Sequence, residues 1–158
     1  MDTFKVAVVG PGGVGKTTIA NLLSGKMVTK KYDPTIGINF ATTSLREINA
    51  RISIFDFAGQ DRFSFMIEDL IRGSRITLLV TDSTPKNVLN AKKMLKWLKR
   101  LKGGRIFGIA NKQDIEGVLS PDRVEKLLGV KTYGMIAIDG RKKVHMYRIL
   151  LQALKETL

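Results

Sequence analysis

Phe4-Lys5-Val6-Ala7-Val8-Val9-Gly10-Pro11-Gly12-Gly13-Val14-Gly15-Lys16-Thr17-Thr18 is the stretch that decides the fold. Residues 4–9 form a near-continuous apolar run, the pattern of a strand buried on both faces. A glycine-rich turn follows, and the spacing predicts a helix over residues 16–25. Gly10-x₄-Gly15-Lys16-Thr17 therefore lies after a strand and opens a helix, which is the context a phosphate loop requires. Its glycines allow the backbone N–H groups of Gly12, Gly13, Val14 and Gly15 to curl around a β-phosphate. The helix N-terminus adds positive potential at the same place. Lys16 is expected to bridge β- and γ-phosphates, Thr17 to ligate Mg²⁺ through its hydroxyl, and Thr18 to reach the α-phosphate.

The rest of the chain alternates strands with helices. Two strands are expected within residues 36–57, around a turn near Asn49, and a short irregular helix over 62–72. A buried strand follows over 76–81, a helix over 87–102 and a strand over 106–110. Ser120-Pro121-Asp122 opens another helix as N-cap, N1 proline and first-turn acid. A last strand is expected over 135–138, before a closing helix over 143–158. The apolar stripe of that helix reads as Val144, Tyr147, Leu150, Leu151, Leu154 and Leu158. This order predicts a three-layer α/β chain, and with the phosphate loop it resembles the fold of P-loop nucleoside triphosphatases. Its sheet is six-stranded and mostly parallel, with helices on both faces. No linker or repeat divides residues 1–158, so one domain is expected.

Two further motifs fall at strand ends. Asp56-Phe57-Ala58-Gly59-Gln60 follows the second buried strand, which brings the Asp56 carboxylate beside the Mg²⁺ ion. Gly59 permits its N–H to approach a γ-phosphate closely. Asn111-Lys112-Gln113-Asp114 follows the 106–110 strand at a carboxyl edge, where open α/β sheets bind ligands. One carboxylate can accept both the N1–H and the 2-amino group of guanine. Adenine offers neither donor, so Asp114 selects guanine.

Taken in order, the three motifs resemble those of the small GTPase superfamily over the whole chain. Residues 33–40 and 56–63 are most similar to the Ras and Rab families. They are less similar to the Arf family, whose tryptophan before the aspartate is absent. The resemblance implies a GTP-binding switch that hydrolyses GTP to GDP slowly with Mg²⁺. Thr35 would complete the Mg²⁺ shell and hold the γ-phosphate, Tyr32 would close over the phosphates, and Gln60 would orient the attacking water. Residues 32–40 and 59–72 would be the two switch segments. The catalytic set is thus Gln60, Lys16 and Thr35. The metal set is Thr17, Thr35 and Asp56, and the base is held by Asn111, Lys112, Asp114, Ala137 and Ile138. An effector, an exchange factor and a GTPase-activating protein are implied as partners.

Two positions depart from the family pattern. Val28 stands where an aromatic residue packs on the guanine, and Ile136-Ala137-Ile138 replaces the usual Ser-Ala-Lys. The Ala137 N–H is still expected on guanine O6, without the bracing serine. The chain stops at its last helix without a lipid-modified tail, the pattern expected of a prokaryotic or archaeal member.

Composition narrows the setting. No apolar run is long enough to span a membrane. Residue 2 is aspartate and cysteine is absent, which excludes disulfides, thiolate metal sites and the usual lipid attachments from this sequence. A cytoplasmic monomer without a lipid anchor is expected. Net charge is +13, with 10 basic and 7 acidic residues in 1–80 but 17 and 7 in 81–158. Lys92, Lys93, Lys96, Lys99 and Arg100 cluster opposite the apolar face of the 87–102 helix, and residues 86–105 contain no acid. That face could hold an anionic membrane or nucleic acid, although a solvated face is the ordinary reading. His145 reads as a surface residue, Trp97 as packing.

Overall fold

Val6 and Val8 point into one apolar core and Ala7 and Val9 into another, so strand β1 (Phe4–Val9) is buried on both faces. The computed structural model describes residues 3–33, 38–56, 68, 71–101 and 104–158. After β1 come α1 (Lys16–Ser24), β2 (Lys31–Asp33), β3 (Ile38–Leu45), β4 (Ala50–Asp56) and β5 (Ile76–Thr81). The chain continues through α2 (Pro85–Leu98), β6 (Arg105–Ala110), α3 (Pro121–Leu128), β7 (Thr132–Gly134) and α4 (Lys143–Lys155). The core around Val6 and Val8 is closed by Ile19 and Leu23 of α1 and by Met146, Ile149 and Leu150 of α4. The core around Ala7 and Val9 is closed by Val88, Ala91, Leu95 and Leu98 of α2 with Val124 and Leu128 of α3. The result is the expected three-layer α/β fold.

The sheet runs β2-β3-β4-β1-β5-β6-β7. From β4 to β7 every pairing is parallel. The β2-β3-β4 edge is antiparallel. Later strands flank β1 on either side, so strand order reverses there, and the loop leaving its carboxyl end opens into the crevice this reversal creates. The β3–β4 turn is made at Asn49, which adopts φ 49° as a left-handed residue and donates its N–H to the Arg46 carbonyl.

Several boundaries differ from expectation. Among the described residues the sheet has seven strands, not six. The added β2 pairs Lys31 with Phe40, Tyr32 with Asn39 and Asp33 with Ile38, and three residues are too few to show a period. The last strand is Thr132–Gly134 rather than 135–138. In the apolar run that follows, Met135 still donates its N–H to the Ala110 carbonyl, but the Ala137 N–H goes to the Asn111 side chain and not to a strand partner. Helix α2 begins at Pro85, two residues before the expected start, with Thr84 as N-cap accepting from the Asn87 N–H. The buried stripe of α4 is Met146, Ile149, Leu150, Ala153 and Leu154, while Val144, Leu151 and Leu158 are exposed. The helix is thus turned about 100°, one residue step, from the expected face. In this rotation the Tyr147 hydroxyl donates to the Leu23 carbonyl of α1 at 3.0 Å. Of the helix expected over 62–72, Glu68, Ile71 and Arg72 are helical and the remainder lies outside the described residues.

Candidate functional site

The loop after β1 winds tightly because two of its glycines adopt backbone that side chains avoid: Gly13 has φ 74° and Gly15 φ 103°. A Cβ on Gly15 would run into the Asn111 amide. Lys16 is the first residue of α1 and is 4% exposed. Its Nζ donates to the carbonyls of Gly10 at 2.9 Å and Pro11 at 2.8 Å. The ammonium is therefore strapped across the loop mouth. Next to it, the Thr17 Oγ1 is buried and makes no hydrogen bond. Leaving such a hydroxyl unsatisfied is costly, and a cation at the loop mouth would supply the missing partner.

Asn111 ties three loops together. Its Nδ2 donates to the Val14 carbonyl in the phosphate loop at 3.0 Å, and its Oδ1 accepts from the Ala137 N–H at 3.0 Å. Its own carbonyl accepts from the Ser83 hydroxyl at 2.7 Å. Ser83 is fully buried, with φ 69°, and its Oγ also accepts from Gln113 Nε2 at 2.8 Å. Gln113 Nε2 reaches the Leu119 carbonyl too, at 3.0 Å. Lys112 adopts φ 60° and lays its Nζ on the Gly13 carbonyl at 2.8 Å. The 111–114 loop is thus held from below by Ser83 and Gln113 and sideways by the phosphate loop. Neither Ser83 nor the Gln113 side chain was part of the sequence-derived site.

Two adjoining cavities occupy this carboxyl edge. One, of about 520 Å³, is lined by residues 12–18 with Lys30, Asn39, Lys112 and Ile138. The other, of about 230 Å³, is lined by Gly15, Thr18, Asn111, Lys112, Asp114, Ile115, Ala137 and Ile138. Gly15, Thr18, Lys112 and Ile138 line both, so they form one cleft with a phosphate half and a base half. A larger groove of about 890 Å³ lies at the opposite edge, along residues 3–5, 46–49 and 73–75. It contains none of the motif residues.

Gly12 to Thr18, Asn111, Lys112, Asp114, Ala137 and Ile138 all line the cleft. Ala137 departs in detail, because its N–H is given to Asn111 and a base oxygen would compete for it. Tyr32 is 63% exposed in β2 and lines neither cavity. Val28, expected at the base, is buried in the core beside α1, and its N–H donates to Asn21 Oδ1 at 2.7 Å. Thr35, Gly59 and Gln60 lie outside the described residues, as does the Asp56 side chain. Sequence reasoning missed Lys30, whose place in the phosphate cavity no motif signals.

Beside the cleft, Asp82 follows β5. Burial pushes its carboxyl up, but hydrogen bonds from Thr84 and Asn87 and the charge of Lys112 outweigh this and hold it below the usual aspartate range. It accepts from the Thr84 hydroxyl at 2.6 Å and from Asn87 Nδ2 at 2.7 Å, fastening the start of α2.

A family model described as Ras of Complex, Roc, domain of DAPkinase matches residues 5–114. The chain is 32% identical over 120 residues to the Ras-related protein Rab-11C of Dictyostelium discoideum, covering 72% of this chain and 53% of that protein. It is 34% identical over 100 residues to the GTP-binding protein YPT1 of Saccharomyces cerevisiae, covering 62% and 48%. The chain spans about half the length of these curated relatives. With a phosphate loop and a guanine-type loop locked together by Asn111, and with that family model covering most of its length, the chain belongs to the small GTPase superfamily, within the family described as Ras of Complex.

Proposed function

We propose that this chain binds GTP and GDP in the cleft, hydrolyses GTP slowly, and changes the conformation of residues 32–40 and 59–72 with the nucleotide state. The observation that carries the reading is the single cleft that joins the Lys16 loop to Asp114 through Asn111. Phosphoryl transfer asks for positioning and charge stabilisation more than for covalent chemistry. Lys16, oriented by two carbonyls, meets the charge that develops between β- and γ-phosphates, and the loop N–H groups share it. Lys30 brings a further cation to the same cavity. Asp114 lines the base half and discriminates guanine from adenine by what its carboxylate can accept.

Magnesium fits the buried Thr17 hydroxyl, with Thr35 and Asp56 as the other candidate holders. Held there, it would supply positive charge against the phosphates. Gln60 orients the water, and no arginine lies in residues 32–35, so intrinsic turnover is slow. An exchange factor, an activating protein and an effector act on the switch segments of a cytoplasmic monomer. Among the described residues no helix is long and apolar enough to cross a membrane. Membrane or nucleic-acid contact through Lys92, Lys93, Lys96, Lys99 and Arg100 is a separate property, since none of them lines the cleft.

A single-turnover assay of phosphate release from GTP-loaded protein tests the reading. Slow release is expected in wild type, with Gln60→Leu lowering it by about tenfold or more while GTP affinity stays within a few-fold. Equal rates for the two proteins would remove Gln60 from catalysis. Tight GTP binding without any release would leave a GTP-dependent scaffold.

A further inference from the structure

Helix α2 buries Val88, Ala91, Leu95 and Leu98 against the sheet and turns Lys86, Lys92, Lys93 and Lys96 outward, and the 3-10 turn that follows it, Lys99–Leu101, exposes Lys99 and Arg100. None of these six cations makes an ion pair among the described residues. Residues 86–105 supply no acid to relieve their mutual repulsion. At 100° per residue the four cations of α2 fall within an arc of about 120°, and Lys99 and Arg100 follow beyond its last turn. Leu89 projects near the middle of that arc and is 58% exposed. A leucine amid cations gains nothing from water and belongs to neither core cluster.

We propose that this face is a docking surface for an anionic lipid bilayer, with the cations meeting headgroup phosphates and carboxylates while Leu89 enters the acyl boundary. A cationic rim around an apolar side chain is the pattern of interfacial helices, in which charge attracts and apolar burial retains. Nucleic acid fits the cations alone. A phosphate lattice leaves Leu89 stranded at the interface, and base stacking needs exposed aromatics. The one candidate, Trp97, is half-buried against the core. The proposal is independent of the nucleotide reading. None of the six cations lines the cleft.

The test is co-sedimentation of the whole chain with phosphatidylcholine vesicles, with or without phosphatidylserine, at low and physiological salt, alongside a shift assay with duplex DNA. Binding to the anionic vesicles only, weakening steeply with salt, is expected. Lys92/Lys93/Lys96→Glu should abolish it, by about a hundredfold or more in partition coefficient. Leu89→Ser should lower it by about fivefold to tenfold at unchanged net charge and salt slope. Retained thermal unfolding would certify that both variants fold. Failure of the wild type to sediment with anionic vesicles overturns the proposal, and so does Leu89→Ser sedimenting like wild type. Duplex binding of equal strength that is indifferent to Leu89→Ser would assign the face to nucleic acid instead.

Discussion

Asp114 lines the base half of the cleft and is the residue on which we propose guanine selection rests; Asp114→Asn converts a double acceptor into one acceptor and one donor. GTP affinity is expected to fall by about a thousandfold and xanthine nucleotides to gain, since their 2-oxo group accepts from the new amide. Titration with both nucleotides checks this. Gln113 holds the same loop through Ser83 and Leu119. Gln113→Leu is expected to release GDP several-fold faster and to cost about 1–2 kcal/mol of stability, measured by stopped-flow release and denaturant unfolding. Lys30 lines only the phosphate half. Lys30→Ala should therefore weaken GTP and GDP while leaving GMP affinity nearly unchanged, and equal losses for all three would place its effect outside the phosphates. Asp114 was legible because a motif marks it. Lys30 and Ser83 were not, because their roles arise from tertiary approach and leave no local pattern.

At the scale of elements, caps and cores decide. The Ser120-Pro121 start of α3 was read from sequence, and Thr84-Pro85 carries the same chemistry at α2, so the late start expected for α2 was an avoidable miss. The rotation of α4 was not readable, because Val144 and Leu151 suit an apolar stripe as well as Met146 and Ile149 do. The buried face is settled by tertiary packing of Met146, Ile149 and Ala153 and by the Tyr147–Leu23 contact. The α2 cap also predicts an acid sensitivity. The Asp82 carboxyl is depressed in the folded state, so its contribution is present above the unfolded value of about 3.9 and is lost as pH falls below that. Asp82→Asn should flatten the stability–pH curve on that acid side, as checked by thermal unfolding across pH. Val28→Phe tests the core. With Val28 only 9% exposed, a larger ring crowds α1 and should cost about 1–3 kcal/mol, and slower GDP release without destabilisation would instead put the ring over the base.

Over the whole molecule, the alternation of strands and helices made the layered fold legible, and the motifs located the cleft at the carboxyl edge before any coordinates. The strand count, the last strand and the bracing beneath Asn111 depended on pairings between distant segments that periodicity does not report. The central claim is that this fold presents one cleft for a guanine nucleotide. Competition against a fluorescent GDP analogue in the presence of magnesium tests it most directly. GTP and GDP should displace the probe at comparable concentrations, and ATP should require about a thousandfold more. Displacement by ATP as readily as by GTP would contradict the account.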